Sequence, residues 1–446
     1  MPRTAGASRT LGISAAFQLD RARGDNAVRH IERLLAANRQ RLATAEAIGV
    51  QGSIAAIGIV GAGTMGLAVA ATAIRHGIDV VLTDAVEAAW TRAAEKLAEI
   101  AETHPGGGKP LGKATATGRI ESLAACDVVL ESIVEDADAK RALLRDIDRR
   151  LPRETLLATG TSTIPVGRLA QGLAHPERVC GVHFFLPVAE RPVVEVIAGP
   201  ATPAAACKKA VGLAAALGKE AISAPDVVGF LVNRLMLPYV SEAMQLLAEG
   251  VAEETIERAA LDFGMPQGPL SLLDEIGLDT ALDCGWVFAG AYEDRIAISP
   301  LLVALVKARR LGLKTRAGFF RYTRRDDGSF AQEIDPAVAA LLERWKTPRG
   351  GSASADAVAA RLFLPMLFEG VRLLEEHAGC LPGDIDLGAV LALGMSPRRG
   401  GPLFWADQVG IPELLRLAGP LAGIGKRMQP PDRLRRMAQD KRSFYK

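Results

Sequence analysis

The chain of 446 residues contains only five cysteines, Cys126, Cys180, Cys207, Cys284 and Cys380, and no two of them are close in sequence. That scarcity fits neither a disulfide framework nor a zinc site, and it points to a reducing compartment, read here as the cytoplasm. Metal-ligand spacing is missing among the histidines too: His30, His76, His104, His175 and His377 are assigned structural or surface roles, and no metal is expected. Net charge is almost absent. The 53 Lys and Arg against 51 Asp and Glu leave +2, too little to suggest nucleic acid or a membrane surface as a partner.

Only one uncharged stretch is long enough to span a bilayer, residues 51–74. Gly58, Gly61, Gly63 and Gly66 would weaken such a helix at four places, whereas a buried strand, a tight turn and a helix use them naturally, so no membrane span is expected. Residues 1–14 carry Arg3 and Arg9 without an acid but lack an apolar helical face, and read as a frayed terminus. Residues from about 15 to 48 look helical, and the chain stops at Phe444, Tyr445 and Lys446 without a peroxisomal ending.

What is present is globular: apolar residues make up 49% and charged residues 23%, enough for several cores at roughly 100 to 200 residues per domain. Short runs rich in Val and Ile at 54–60, 79–83, 127–132, 155–159, 179–185 and 193–197 alternate with helical patterns, which indicates a doubly wound sheet covered on both faces. After Pro225 the pattern turns to helices broken by Gly and Pro, with a polar, Gly-rich linker at 347–354.

The helical part repeats itself. Arg234, Leu235, Leu237, Pro238, Glu242, Leu246, Leu247 and Glu249 recur 127 residues later as Arg361, Leu362, Leu364, Pro365, Glu369, Leu373, Leu374 and Glu376. Gly264 and Met265 recur as Gly394 and Met395, and Pro269, Leu270, Asp274 and Gly277 as Pro402, Leu403, Asp407 and Gly410. Order is kept while the register drifts near Gly and Pro, so the simplest account is a duplicated domain whose copies pack together.

Two constellations carry chemistry. Gly61, Gly63 and Gly66, with Thr64 and Met65 among them, follow a predicted strand and open a predicted helix. A dinucleotide diphosphate needs backbone to approach without a Cβ, and a helix N-terminus offers it unpaired N–H groups. The next strand ends at Asp84, placed to accept ribose hydroxyls. No basic residue follows before Arg92, so NAD is favoured over NADP. The second constellation is His183 with Glu195 twelve residues on, which a short return loop would bring together as a general base and the carboxylate that fixes its tautomer. Taken without context, a His beside two Phe is more often a core residue and an isolated Glu a solvated one.

Together these motifs resemble the L-3-hydroxyacyl-CoA dehydrogenase family. The residues that carry the resemblance are Gly61, Gly63 and Gly66 with Asp84; Glu135 with Lys140; Thr161 and Ser162; His183, Phe184 and Phe185 with Glu195; Gly229 and Phe230 with Asn233 and Arg234; and 263–270 followed by Asp274. Gly312, Lys314, Gly318, Phe319 and Tyr322 resemble the close of that family's helical domain, and the repeat ending in Ser443, Phe444 and Tyr445 resembles the dehydrogenase half of multifunctional fatty-acid oxidation proteins. What precedes Ser53 is shorter than the hydratase domain those proteins carry.

The resemblance implies a Rossmann-type α/β domain at 53–224 and two duplicated all-α domains at 225–346 and 355–446; the helical pattern ahead of them is read as an N-terminal helical extension at 1–52. It implies NAD, an acyl-CoA substrate, and either a homodimer or association with a separate hydratase or thiolase. His183 would take the 3-hydroxyl proton with Glu195 as partner, Ser162 and Asn233 would orient the reacting oxygen and the imidazole, and Glu135 and Lys140 would lie along the cofactor and CoA entrance. Ala360 stands where the second copy would need its Asn, so the duplicate would be structural.

Gly160 and Leu186 depart from the family, which usually has Asn at the first position and Asn or Ser at the second. Arg191 and Pro192 also reverse a usual apolar-then-basic order, which suggests altered substrate preference. Two other readings fit the same residues: an attenuated paralogue serving as a scaffold subunit, and a dehydrogenase of another 3-hydroxy acid.

Overall fold

The computed structural model describes residues 16–17, 21–44, 54–102, 111–296, 298–346 and 354–445. Residues 1–14, expected to fray, and most of the expected linker, 347–353, lie outside the described residues. Two compact units divide the chain, Arg33–Leu231, and Met1–Glu32 together with Val232–Lys446; the boundary at Glu32 falls inside a helix, α1 (Arg21–Thr44).

The unit Arg33–Leu231 is built on eight strands: β1 (Ala56–Val60), β2 (Asp79–Thr83), β3 (Ala114–Thr117), β4 (Val128–Glu131), β5 (Leu156–Thr159), β6 (Val179–Phe184), β7 (Val193–Ile197) and β8 (Glu220–Ala224). Its helices are α2 (Thr64–Arg75), α3 (Glu87–Glu102), α4 (Ala137–Arg150), α5 (Val166–Ala170) and α6 (Ala204–Ala216). The strand order is β3-β2-β1-β4-β5-β6-β7-β8, parallel up to β6; β7 returns antiparallel to β6, and β8 runs parallel to β7. Ile57, Ile59, Leu82, Val128, Leu130, Val182 and Phe184 bury one face of the sheet in one core cluster, and Val60, Val129, Leu157 and Ile197, on the alternate positions, are buried too, which explains why these strands read as unbroken apolar runs rather than as alternating ones.

The six predicted strands form with bounds shifted by at most two residues, and two strands escaped prediction. β3, Ala-Thr-Ala-Thr, lies at the edge of the sheet with exposed and half-buried positions, and β8 reads Glu-Ala-Ile-Ser-Ala; neither has the apolar run that marks a central strand. Residues 54–74, flagged by their lack of charge, form β1, a turn and α2. Among the described residues no helix is long and apolar enough to cross a membrane.

The other unit is helical: α7 (Val232–Ala248), α8 (Glu253–Phe263), α9 (Pro269–Ile276), α10 (Leu278–Ala291), α11 (Pro300–Lys307), α12 (Pro336–Trp345), α13 (Ala355–Glu376), α14 (Pro382–Leu387), α15 (Pro402–Val409), α16 (Ile411–Ala418) and α17 (Asp432–Gln439). Among the described residues one hairpin interrupts the expected run of helices, β9 (Phe320–Arg324) paired with β10 (Phe330–Ile334) around Asp326, Asp327 and Gly328. Gly328 takes a positive φ of 83°, the conformation a tight hairpin turn demands.

The repeat folds back on itself. Arg234 of α7 donates Nε to Glu369 Oε1 at 2.9 Å and Nη1 to Glu376 Oε2 at 2.7 Å, both on α13. Reciprocally, Arg361 of α13 donates Nε to Glu242 Oε1 at 2.5 Å and Nη2 to Glu249 Oε1 at 3.1 Å, both on α7. Asp274 accepts the N–H groups of Phe319 and Phe320, and its counterpart Asp407 accepts those of Phe444 and Tyr445. The duplicated residues thus make duplicated contacts across the α7–α13 seam and at each copy's closing segment.

Candidate active site

In the unit Arg33–Leu231 the candidate residues stand at the carboxyl ends of the parallel strands, where an open α/β sheet leaves its crevice. Gly61 follows β1 with φ of 113°, and a Cβ there would stand 2.3 Å from Ser132 O. A Cβ on Gly66 would stand 2.0 Å from Gly61 O, so strand, turn and helix can close this tightly only with both side chains missing. Gly63 differs, since a Cβ would meet nothing within 4 Å. It caps α2 without any capping side chain, beside exposed Thr64 and half-buried Met65. An open approach to an uncapped helix N-terminus suits a diphosphate.

Asp84 braces this turn: Oδ2 accepts Ala62 N–H at 2.8 Å and Oδ1 accepts Val86 N–H at 2.9 Å. Each oxygen retains a second lone pair for a ribose hydroxyl. A cavity of about 510 Å³ borders the turn, lined by Gly63, Thr64 and Leu67 on α2's side and by Arg92, Lys96 and Ile100 on α3's. The helix thus brings two cations to the glycine turn that a linear reading kept apart from Asp84.

The antiparallel register sets His183 directly opposite Glu195. Nδ1 of His183 lies 2.7 Å from Glu195 Oε2, and Glu195 Oε1 accepts the N–H of Leu231 at 3.0 Å. Because a carboxylate only accepts, the imidazole carries its proton on Nδ1 and presents Nε2 as the basic nitrogen. Nε2 lies 3.1 Å from Ser162 Oγ, while Phe185 and Phe230 flank the ring at 4.7 and 5.8 Å between centroids. Glu195 is fully buried and His183 is 4% exposed, so water scarcely screens the pair.

A second network backs the first. Oε1 of Glu135 accepts from Thr161 Oγ1 at 2.7 Å and from Ser162 N, Thr163 N and Thr163 Oγ1, each at 2.9 Å. Burial pushes this carboxyl up, but the Lys140 ammonium and the hydroxyls of Thr161 and Thr163 outweigh it and hold the group below the usual carboxylate range. Lys140 enters from α4, whose N-terminus Asp136 caps by accepting Ala139 N–H at 2.8 Å. Its Nζ lies 2.6 Å from Glu131 Oε1 and 3.4 Å from Glu135 Oε2, and the side chain is 1% exposed. Where the resemblance puts Lys140 along an entrance, the structure turns its ammonium inward between two carboxylates.

Glu131 was missed in the sequence. It ends β4 with no exposed surface, and its Oε2 accepts from Thr159 Oγ1 at 2.7 Å. A carboxylate closing the apolar run Val128-Val129-Leu130 is the signal that could have found it. Asn233 belongs to the other unit, where it stands in the first turn of α7, and Ala360 lies buried in α13. Of the two departures, Leu186 is 45% exposed and a Cβ on Gly160 would stand 3.1 Å from Glu131 O.

Residues 56–227 match the family described as 3-hydroxyacyl-CoA dehydrogenase, NAD binding domain, and residues 229–322 match 3-hydroxyacyl-CoA dehydrogenase, C-terminal domain. A fatty acid oxidation complex subunit alpha from Acinetobacter baylyi is 33% identical over 340 residues, covering 76% of this chain and 47% of that protein; the chain spans about half the length of this curated relative. Among solved structures, 3-hydroxybutyryl-CoA dehydrogenase from Escherichia coli K12 superposes with a TM-score of 0.73 at 27% identity, over 86% of this chain and 98% of that one. The (S)-3-hydroxybutyryl-CoA dehydrogenase PaaH1 from Ralstonia eutropha is 32% identical with a TM-score of 0.54, over 61% of this chain and all of that one.

Proposed function

The chain belongs to the 3-hydroxyacyl-CoA dehydrogenase family, and from that premise we propose that it oxidises L-3-hydroxyacyl-CoA to 3-oxoacyl-CoA with NAD, as in fatty-acid β-oxidation. The observation that carries the reading is His183 held between Glu195 and Ser162 at the carboxyl edge of a sheet whose first turn is open at Gly63.

NAD, when bound, supplies the acceptor for the hydride that leaves C3 of the substrate. Gly61, Gly63, Thr64, Met65 and Gly66 form the turn for its diphosphate, and Asp84 accepts from its adenosine ribose. His183 Nε2 takes the 3-hydroxyl proton, and Glu195 holds Nδ1 and stabilises the imidazolium that results. Ser162 Oγ, close to Nε2, orients the reacting oxygen. The orienting role that the resemblance gives Asn233 is tested separately by Asn233→Ala, read on kcat and melting temperature. The resemblance gives Glu135 and Lys140 the cofactor side; of the two Glu135 keeps exposed surface there, and Lys140 braces it from behind at 3.4 Å.

Leu186, an exposed apolar side chain where the family has a polar one, favours a second reading, an attenuated paralogue acting as a scaffold subunit. The name of the curated relative speaks of a complex, which supports work in an assembly; our own reading of the partner is a separate hydratase or thiolase in the cytoplasm, with a homodimer as the other arrangement. NADH oxidation with acetoacetyl-CoA decides between the two readings: turnover supports the dehydrogenase, and no turnover at saturating NADH removes it.

A further inference from the structure

Two of the five free thiols meet although they are far apart in sequence. Cys180 lies on β6, and Cys207 is the fourth residue of α6. On β6, Cys180, Val182 and Phe184 share one face of the sheet and are buried in its core cluster. On α6, Ala210, Leu213 and Ala214 are buried in the same cluster, and Cys207 packs against it. Positions 207, 210 and 214 form one stripe of a helix, so the stripe that covers this face carries Cys207 at its N-terminal end. The approach is pinned from the side as well: Thr202 Oγ1, two residues before α6, donates to Val179 O at 2.6 Å, and Pro203 O accepts the Cys207 N–H at 3.3 Å. Cys180 Sγ lies 3.3 Å from Ile197 O and hydrogen-bonds the Cys207 sulfur.

Burial separates the two roles. Cys180 has no exposed surface, while Cys207 is half-buried and open to a small solute. The hydrogen bond from the Cys180 thiol holds the Cys207 thiol below its ordinary range, against the opposing effect of burial. A buried cysteine is ordinarily an inert small hydrophobe. A partly exposed thiol that ionises more readily, with a second thiol at its side, has instead the makings of a reactive and resolving pair.

We infer that Cys207 and Cys180 form a peroxide-modification site, in which Cys207 is oxidised and Cys180 closes a reversible disulfide with it. The Cys207 thiolate attacks one oxygen of hydrogen peroxide; an S–O bond forms, the O–O bond breaks, and the departing hydroxide takes up a proton to become water. Cys180, on losing its proton, attacks the sulfenic sulfur. The S–S bond forms, the S–O bond breaks, and the second hydroxide leaves as water with the proton that Cys180 released. Two thiols and one peroxide thus give one disulfide and two waters: each sulfur loses one electron, and the peroxide gains two. A dithiol reductant reverses the bridge, which makes it transient in a reducing compartment. His183 takes the alternate position on β6 and faces the other side of the sheet, so the bridge leaves the imidazole outside it. The inference therefore goes beyond the dehydrogenase reading and does not depend on it.

The test is a mass measurement on the full chain, reduced, exposed to a molar excess of hydrogen peroxide, and blocked with iodoacetamide before digestion. Trypsin cuts after Arg178 and Lys208 but not at Arg191, which precedes Pro192, so both cysteines stay in one peptide, 179–208. The oxidised chain should yield this peptide unalkylated and lighter by two hydrogens than its dithiol form, and dithiothreitol should restore both alkylation sites. In Cys180→Ala the reaction should stop at the Cys207 sulfenic acid, which dimedone captures and which further peroxide carries on to the sulfinic acid. In Cys207→Ser the buried Cys180 should stay a thiol. A wild-type peptide that remains doubly alkylated overturns the inference, and so does a Cys207 bridged to any other cysteine; both are read on the wild type, so the test holds even if a variant does not fold. Turnover enters none of these measurements. A chain inactive with acetoacetyl-CoA that still forms the bridge refutes the dehydrogenase reading alone, and an active chain without the bridge refutes this inference alone.

Discussion

Glu195 has no exposed surface, and its Oε2 lies 2.7 Å from Nδ1 of His183, the residue directly across the β6–β7 pair. A return loop of eight residues, 185–192, is enough to turn two positions twelve apart into a cross-strand neighbour pair, and neighbours on one face of an antiparallel pair stand about 5 Å apart at Cβ. Sheet geometry, not a flexible loop, therefore sets the distance on which the imidazole's tautomer depends.

His183→Gln should lower kcat about 100-fold or more while NADH affinity stays nearly unchanged, because the ring serves the hydroxyl proton rather than the cofactor. Glu195→Gln should cost about tenfold or more, since the imidazolium loses its charged partner and a single amide oxygen must serve both Nδ1–H and the Leu231 N–H. Steady-state kinetics beside a calorimetric NADH titration checks both. Wild-type turnover in His183→Gln removes the mechanism.

The glycines of the turn should separate by role. Gly66→Ala puts a Cβ 2.0 Å from Gly61 O, so its melting temperature should fall by several degrees despite the helix propensity of Ala. Gly63→Ala meets no atom within 4 Å and has an ordinary φ of −75°, so the fold should be untouched, while NADH binds about tenfold more weakly because the Cβ occupies the diphosphate's approach. Melting curves and titrations of the two variants must diverge in this sense.

The seam of the repeat should be asymmetric in what it tolerates. Glu369 receives Arg234, Arg295 and Arg372, so Glu369→Gln leaves three guanidinium groups sharing the remaining charge and should cost about 3 to 5 kcal/mol in urea unfolding. Arg295→Gln, which leaves Arg234 and Arg372 on Glu369, should cost about 1 kcal/mol. A chain cut after Lys346 loses α13 and should be insoluble, because the face of α7 carrying Leu235, Tyr239, Leu246 and Leu247 is buried. A soluble, fully active truncation would show that the second copy is dispensable.

Asp274 should give the helical unit a pH dependence. Burial raises its carboxyl from 3.8 to about 6, against the pull of the Phe320 and Phe319 N–H groups, Tyr322 and Arg310. Between those values the folded chain holds a proton that the unfolded chain has released, so the stability from this group is full below about pH 3.8 and is lost as pH rises through 6. Asp274→Asn should flatten that part of the stability profile. An equally steep profile in the variant would assign the slope to other groups.

Much of the site was legible because it depends on residue type at short range. A turn that admits no Cβ demands Gly61 and Gly66, an acid after β2 marks Asp84, and a His followed closely by a Glu in two Val-rich runs signals a cross-strand pair. The repeat was legible as well, since duplication preserves order, and the copies do pack through their matching Arg and Glu residues. What spacing could not supply is the destination of each buried charge. Lys140 turns inward to Glu131 and Glu135, Glu131 reaches Thr159 across 28 positions, and Glu135 holds 161–163, because a carboxylate removed from water must take whatever donors folding brings within reach. Strand β3 and the β9–β10 hairpin were hidden for a related reason. Half-exposed strands bury little side chain, so their pairing is decided by the neighbouring strand, which only the tertiary structure supplies.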